Sequence, residues 1–267
     1  MLITLTTDFG YRDPFVGIMK GVIAGINANA RVIDLSHDIL PQDIMAGALM
    51  LRHSVPYFPR GTIHVAVIDP GVGGARRPLL VECDGSYFVG PDNGVLSLTL
   101  AGKQPTHFIH LSNSTYHLQP MSATFHGRDI FAPVAAYLSL GVAAVAFGDP
   151  ADGFLRLKLP EALRAARRIC GEILYIDSFG NLFTNISERD LTGLTAHKIV
   201  ISLRDATIRG LASHYAAAVE GELVALVNSW GLLEIALYKG SARQRTAAQI
   251  GDKVEIIPDE SGTGGCS

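Results

Sequence analysis

Residues 63–77 read Ile-His-Val-Ala-Val-Ile-Asp-Pro-Gly-Val-Gly-Gly-Ala-Arg-Arg. The apolar run Ile63–Ile68 has the length and β-branched content of a strand buried on both faces, and it stops at Asp69. Pro-Gly-Val-Gly-Gly then forms a loop too rich in glycine for a helix or strand interior, closed by Arg76 and Arg77. A carboxylate at the carboxyl end of a buried strand, beside a turn and a fixed positive charge, is the layout of a site in an α/β sheet. Leu2–Thr7 followed by Asp8-Phe9-Gly10 repeats the theme, and Ser122-Ala-Thr-Phe-His-Gly-Arg-Asp129 is a third polar stretch.

The segments around these pieces alternate in period. Asp13-Pro14 predicts the start of a helix capped by Asp13, with Phe15, Ile18, Met19, Val22 and Ile23 on its apolar face. Strands are expected at Arg31–Leu35 and Thr62–Ile68, and a hairpin from Leu79–Glu82 and Tyr87–Val89. Helices are expected over Asp43–Val55, with Ile44, Ala48, Leu51 and Val55 on one face, and over Asn93–Leu100 and Asp129–Leu140, the last with Pro133 in its first turn. This alternation predicts an α/β N-terminal domain over 1–150 with a mostly parallel sheet covered on both faces. A Pro- and Arg-containing linker is read at 151–168. Short strands follow between turn residues: Arg168–Asp177, Lys198–Leu203, Ala206–Ile208, Glu222–Asn228, Leu232–Leu237 and Lys253–Ile257. They predict a smaller all-β, barrel-like C-terminal domain over 169–258, with 259–267 a flexible tail.

Composition narrows the function classes. A net charge of −3 on 267 residues gives no field favouring nucleic acid or an anionic membrane. The charged fraction is only 18% and the mean hydropathy +0.27, which suggests apolar surface hidden by oligomerisation, the alternative being a large core. The cysteines Cys83, Cys170 and Cys266 are odd in number and unpaired in spacing. They argue against a disulfide framework or a cysteine zinc site and for a cytoplasmic protein. The start of the chain lacks the basic and apolar segments of a signal peptide, and no apolar run reaches the roughly 18–20 residues of a membrane span.

Each candidate residue has a bland reading beside its functional one. Asp8 can accept bonds from the two hydroxyls of a ribose, or close an Asx turn or cap. Asp69 sits beside Gly71, Gly73 and Gly74, which let backbone approach a ligand, and Arg76 can hold it ionised; the alternative is a solvated turn. The Gly-Lys-Ser/Thr ending of a phosphate-binding loop is missing. His126, beside Arg128 and Asp129, can position or polarise water. The other eight histidines, His37, His53 and His64 among them, are read as structural. Asp8, His37, Asp38, Asp69 and His126 lack metal-ligand spacing, so no metal is expected. In the second domain Asp177 can bind an ammonium, Phe179 or Phe183 can stack on a base, and Asn181 can read a base edge, unless the stretch is only an Asn-stabilised hairpin. Asn228-Ser229-Trp230-Gly231 carries the sole tryptophan, which could instead plug the domain core. Glu234 lies in the apolar strand 232–237, where an unpaired carboxylate is costly.

Five motifs in one order closely resemble the S-adenosylmethionine hydroxide adenosyltransferases (S-adenosylmethionine hydrolases), whose superfamily includes fluorinases and chlorinases. They are Thr-Thr-Asp8-Phe-Gly, the Asp69-Pro-Gly-Val-Gly loop with Arg76, Phe125-His126-Gly-Arg-Asp, Asp177-Ser-Phe-Gly-Asn181 and Asn228-Ser-Trp-Gly-Leu-Leu-Glu234. The resemblance runs over about residues 2–257. It implies hydrolysis of S-adenosylmethionine to adenosine and methionine, no metal or organic cofactor, and a homotrimer binding this small molecule between one subunit's first domain and a neighbour's second. Residue by residue, it implies that Asp8 holds the ribose diol, and that Asp69, Arg76 and His126 activate water. It further implies that Asp177 binds the methionine ammonium, that Phe179 and Asn181 form the adenosine pocket, and that Ser229 lies where the carboxylate is held. Trp230 and Glu234 complete the expected substrate-binding set, with Trp230 standing where fluorinase-type sequences carry arginine. The resemblance does not choose between Arg76 and Arg77 as the inward arginine, although the seven-residue step from Asp69 favours Arg76. Fluorinase-like sequences read Phe-Tyr-Ser at Phe125-His126-Gly127 and Tyr at Asp69, and carry an extra loop with no counterpart in 93–125. These departures favour a hydrolase over a halide-using enzyme of the same fold. A non-catalytic nucleoside-binding module is the remaining alternative.

Overall fold

The parallel centre is built on β1 (Leu2–Thr7), α1 (Phe15–Ile26), β2 (Arg31–Ser36), α2 (Ile44–Ser54) and β3 (Ile63–Val67). β4 (Pro78–Cys83), β5 (Ser86–Pro91), α3 (Ser97–Leu100), β6 (His107–His110), α4 (Ala132–Ser139) and β7 (Asp149–Pro150) follow. These strands form one sheet in the order β2-β1-β3-β5-β4-β6-β7. β2, β1, β3 and β5 run parallel, and the β4–β5 hairpin adds an antiparallel flank continued by β6 and β7. Asp84 and Gly85 close that hairpin with φ of 53° and 73°, the positive pair a two-residue hairpin turn needs. Every residue of β3 is buried. Ile63, Val65 and Val67 join a core with Met19 and Ile23 of α1 and Val134, Ala135 and Leu138 of α4. Gly47 of α2 lies against Ile68, on the opposite parity, so helices cover both faces.

The computed structural model describes residues 1–165 and 167–259. The chain divides into two compact units, Met1–Leu157 and the residues from Lys158 onward. Leu155 N donates to Asp92 Oδ1 (2.7 Å) and Leu157 N to Ser97 Oγ (3.0 Å), so this half of the expected linker is tied to the first unit. Cys266 and the expected tail beyond Asp259 lie outside the described residues.

The second unit contains β8 (Leu163–Ala165), β9 (Arg168–Ile176), β10 (Leu182–Ser187), β11 (Ile199–Leu203), β12 (Ala206–Arg209), β13 (Leu223–Val227), β14 (Leu232–Leu237), α5 (Ala242–Thr246) and β15 (Lys253–Pro258). The sheet runs β12-β11-β15-β9-β10-β14-β13, antiparallel throughout, with β8 on β9. A bridge between Ala212 and Leu226 brings the two ends together in a nearly closed barrel. Its interior is aliphatic, with Ile173, Leu182, Ile186, Ile201, Leu233 and Ile235 among its members. Among the described residues no helix is long and apolar enough to cross a membrane.

Two local expectations need correction. α1 buries Val16, Met19 and Ile23, while Phe15 and Ile18 stay 42% and 38% exposed. Positions 16, 19 and 23 share a helical face, so the buried stripe is turned from the one read off the sequence. Asp13 does not cap α1: Pro14 occupies the cap position and its carbonyl accepts from Ile18 N (2.9 Å). In α2 the cap is as expected in kind, with Asp43 Oδ1 accepting Ala46 N at 2.9 Å.

Candidate active site

Asp69 leaves the sheet just after β3, and the strand end is anchored by Asn93, whose Nδ2 donates to Ile68 O (2.7 Å). The chain turns sharply, with Val72 N on Asp69 O (3.2 Å), and Arg76 folds back over the carboxylate. Arg76 Nε donates to Asp69 Oδ1 at 2.9 Å and Nη2 to Oδ2, a bidentate pair. The two side chains are only 9% and 4% exposed. Glycine at position 71 leaves room for this fold over Asp69: a Cβ there would meet Arg76 Cγ at 3.3 Å, a tight contact. Gly73, at φ 76°, lies so near residue 123 that a Cβ would sit 2.2 Å from Ala123 O. The loop is thereby pressed against the segment that carries His126.

Arg76 Nη2 also reaches His126 Nδ1 at 2.8 Å. A guanidinium only donates, so Nδ1 accepts and the neutral imidazole carries its hydrogen on Nε2. Burial, and then the Arg76 charge, push the His126 pKa below 6.5, with Asp69 and Asp129 pulling the other way. Arg76 thus joins all three residues of the expected catalytic set in one network. Arg77 points elsewhere: it pairs with Asp92 (Nε 3.0 Å, Nη2 2.6 Å) and donates to Gly153 O (2.9 Å).

Two residues named in the sequence have supporting roles that the sequence reading did not assign. Asp129 is fully buried and accepts Ser122 N (2.8 Å) and a bidentate pair from Arg128 (2.6 and 2.9 Å), fixing the loop that leads into His126. Asn93 anchors the end of β3. The available signals were an acid embedded in Phe-His-Gly-Arg-Asp and the polar Pro-Asp-Asn-Gly at 91–94. His126 enters a wide π turn, Gly127–Phe131, before α4; such turns recur at functional sites.

Asp8, at the end of β1, accepts Gln42 N on Oδ2 (2.7 Å). Among the described residues no hydrogen bond joins it to Asp69, Arg76 or His126. The two segments meet through rings instead: Phe9 packs edge-on against Phe125 (6.0 Å), and Phe15 against both (5.9 and 5.3 Å).

In the second unit Asp177 closes the β9–β10 turn. Its Oδ1 accepts Phe179 N (3.0 Å) and Asn181 N (2.8 Å), and its Oδ2 accepts Asn181 Nδ2 (3.1 Å). Phe179 is left 76% exposed while Asn181 is buried. A cavity of about 480 Å³ opens beside this turn, lined by Asp177, Phe179, Gly180, Ser241, Arg243 and Gln244 among others. The β13–β14 turn is organised by Asn228, whose Oδ1 accepts Trp230 N (2.9 Å) and Leu232 N (3.2 Å). Ser229 is exposed there. Trp230 stacks on Tyr175 (5.5 Å) and meets Phe183 edge-on (4.9 Å), outside the aliphatic barrel core. Glu234 is 1% exposed and accepts the Tyr215 hydroxyl on Oε1 at 2.8 Å, and the Asn228 side chain nearby favours its ionised form. Burial raises the Glu234 pKa and, with the bond to Glu234, pushes Tyr215 up to about 12. Among the described residues no group of three or more His, Cys, Asp or Glu has the arrangement of a metal site.

Models of the SAM hydroxide adenosyltransferase N-terminal and C-terminal domains match residues 3–148 and 171–255. A protein of Salinispora arenicola named (R)-S-adenosyl-L-methionine hydrolase is 38% identical over 261 residues, covering 95% of this chain and 97% of its own. A fluorinase of an Actinoplanes species is more distant, at 25% over 217 residues. The crystal structure of a conserved protein from Thermotoga maritima superposes with a TM-score of 0.89 at 32% identity, covering 96% of this chain and 100% of that one.

Proposed function

The chain belongs to the SAM hydroxide adenosyltransferase family, and from that premise we propose that it hydrolyses S-adenosylmethionine to adenosine and methionine. The observation that carries the proposal is the single network in which Arg76 holds both Asp69 and His126. Water attacks the ribose C5′, the C5′–S bond breaks with its electron pair going to sulfur, and one proton is released. The sulfonium leaves as a neutral thioether, so neither a general acid nor a metal is needed at the leaving group.

The proton inventory of the site gives each residue a distinct job. His126, with Nδ1 filled by Arg76, presents Nε2–H and donates to the attacking oxygen. It acts as a holder of hydroxide-like charge rather than as the base. Asp69 keeps lone pairs beyond those used by Arg76 and accepts a water proton. Asp8 holds the ribose diol. In the second unit Asp177 takes the ammonium, Phe179 and Asn181 the adenosine, and Ser229 with Trp230 the methionine end. Glu234, buried beneath Tyr215, shapes that end from behind.

Active sites shared between neighbouring copies of a homotrimer are part of this reading. Its support is the uncovered α1 face, where Ile18 is exposed and a Cβ on Gly17, Gly21 or Gly25 would meet nothing. A cytoplasmic setting fits the free thiols Cys83 and Cys170. A buried carboxylate at position 69 repels halide, which disfavours the halogenase alternative.

Incubation in ¹⁸O-water with and without chloride tests the reaction. Adenosine labelled at the 5′ oxygen is expected, at a rate unchanged by exhaustive dialysis against chelator. A 5′-halogenated nucleoside, or no product, would overturn the proposal. The relative's name specifies the (R) compound, so both sulfonium epimers belong in the assay.

A further inference from the structure

The end of β1 carries a second cluster of polar contacts, separate from the Asp69 network. Thr7 and His37 are both fully buried, with 0% exposure. His37 Nε2 lies 3.2 Å from Asp34 Oδ1, and Nδ1 lies 2.7 Å from Thr7 Oγ1. The Nε2–Asp34 approach is a close electrostatic contact rather than an aligned hydrogen bond, and among the described residues neither atom has a hydrogen-bond partner. Thr7 Oγ1 shares a hydrogen bond with His37 Nδ1 and also accepts Phe9 N at 3.2 Å. Asp34 is itself held by Lys20 Nζ (2.6 Å) and Tyr11 OH (3.0 Å) on Oδ2. Burial works against the ionised form, but Lys20, the nearby His37 and the Tyr11 hydroxyl outweigh it and keep the Asp34 carboxyl below its usual range.

Every anchor brackets Asp8. Thr7 precedes it, Phe9 follows it, Gly10 N donates to His37 O (2.7 Å), and the Tyr11 ring meets the His37 ring edge-on at 5.1 Å. Apolar side chains would fill the same buried volume without needing partners, so a polar chain running from Lys20 to Thr7 calls for a reason. We propose that Asp34 and His37 are positioning residues that act through Thr7 to fix the Asp8 carboxylate for the vicinal diol of the nucleoside. This rests on the reading of Asp8 given above. Neither residue touches the substrate.

The test compares S-adenosylmethionine with its 2′-deoxyadenosyl analogue, and each variant with and without Asp8→Ala. His37→Gln and Asp34→Asn are expected to raise KM for the diol substrate about tenfold with kcat little changed. The penalty should vanish for the 2′-deoxy analogue and in the Asp8→Ala background, because coupled residues are non-additive. Thr7→Val should behave like His37→Gln, and Thr7→Ser, which keeps the hydroxyl, should restore wild-type KM. The Thr7 pair carries the test if a His37 variant does not fold. Equal penalties on both substrates, additivity with Asp8→Ala, or no penalty would overturn the inference while leaving the hydrolase reading intact. Wild-type protein that forms no adenosine would remove both.

Discussion

Arg76 is the residue whose replacement separates geometry from charge. Its planar fork contacts both Asp69 oxygens and His126 Nδ1, which a lysine ammonium, a single point on a flexible stem, cannot reproduce. Arg76→Lys should therefore lower kcat on the order of 10²-fold, within the range of a lost positioned acid–base or electrostatic contact. Arg77→Lys, on Asp92, should stay within a fewfold. Comparable losses in the two variants would refute this assignment. The same contact sets the acid limb of the pH profile. His126 must be neutral to accept from Arg76, and burial and Arg76 depress its pKa below 6.5. Activity should hold as pH falls through 6.5 and drop only below it; a midpoint above 6.5 in kcat against pH would contradict this. That Asp69, Arg76 and His126 are chemistry-bearing residues near glycines was legible in the sequence; that they meet in one network comes from the structure. The choice between Arg76 and Arg77 was not, because it depends on Asp92, fifteen positions from Arg77, closing on it in space. Asp129 and Asn93 were missed because their partners are backbone groups or a neighbouring arginine, and such pairings leave little trace in residue spacing.

At the scale of elements, β3 contains a histidine as a load in its apolar run. His64 is fully buried, its Nδ1 lies 2.9 Å from Thr4 Oγ1 on the parallel neighbour β1, and its ring stacks on Phe88 of β5. Burial, with a smaller contribution from Lys103, pushes its pKa down to about 4 from 6.5. A depressed histidine pKa means the unfolded chain binds more protons, so stability is present above 6.5 and declines as pH falls toward 4. Between pH 7 and 5 that decline is about 2 kcal/mol. His64→Gln, which can keep the bond to Thr4, should flatten the slope of urea-unfolding free energy against pH relative to wild type. His53, also near 4, provides a background slope common to both proteins. Parallel slopes would show that His64 does not titrate between folded and unfolded states. Strand β3 was readable from its nearly continuous apolar run; β10 was not. Leu182-Phe-Thr-Asn-Ile-Ser187 mixes apolar and polar residues after a turn, and its strand state is secured by pairing with β9 and β14.

For the whole molecule, the change from alternating helix and strand periods to short strands alone predicted two domains of different class, because each period records which face of an element must be covered. Assembly leaves a fainter record. Low charge and exposed apolar positions on α1 say that surface is available, not which copy covers it. If one subunit's Asp69 network and a neighbour's Asp177 turn serve the same substrate, two dead variants should rescue each other. Assemblies of Asp69→Ala alone and of Asp177→Ala alone would each be inactive or nearly so. In a randomly mixed assembly a site is intact when its first unit comes from an Asp177→Ala chain and its second from an Asp69→Ala chain. The probability is one half times one half, so co-expressed equal amounts should recover about a quarter of wild-type kcat. Sites completed within single chains would recover nothing, since every chain carries one lesion. Mixing the two folded single-variant proteins without exchange supplies the control, because recovery must follow subunit exchange rather than the mere presence of both proteins.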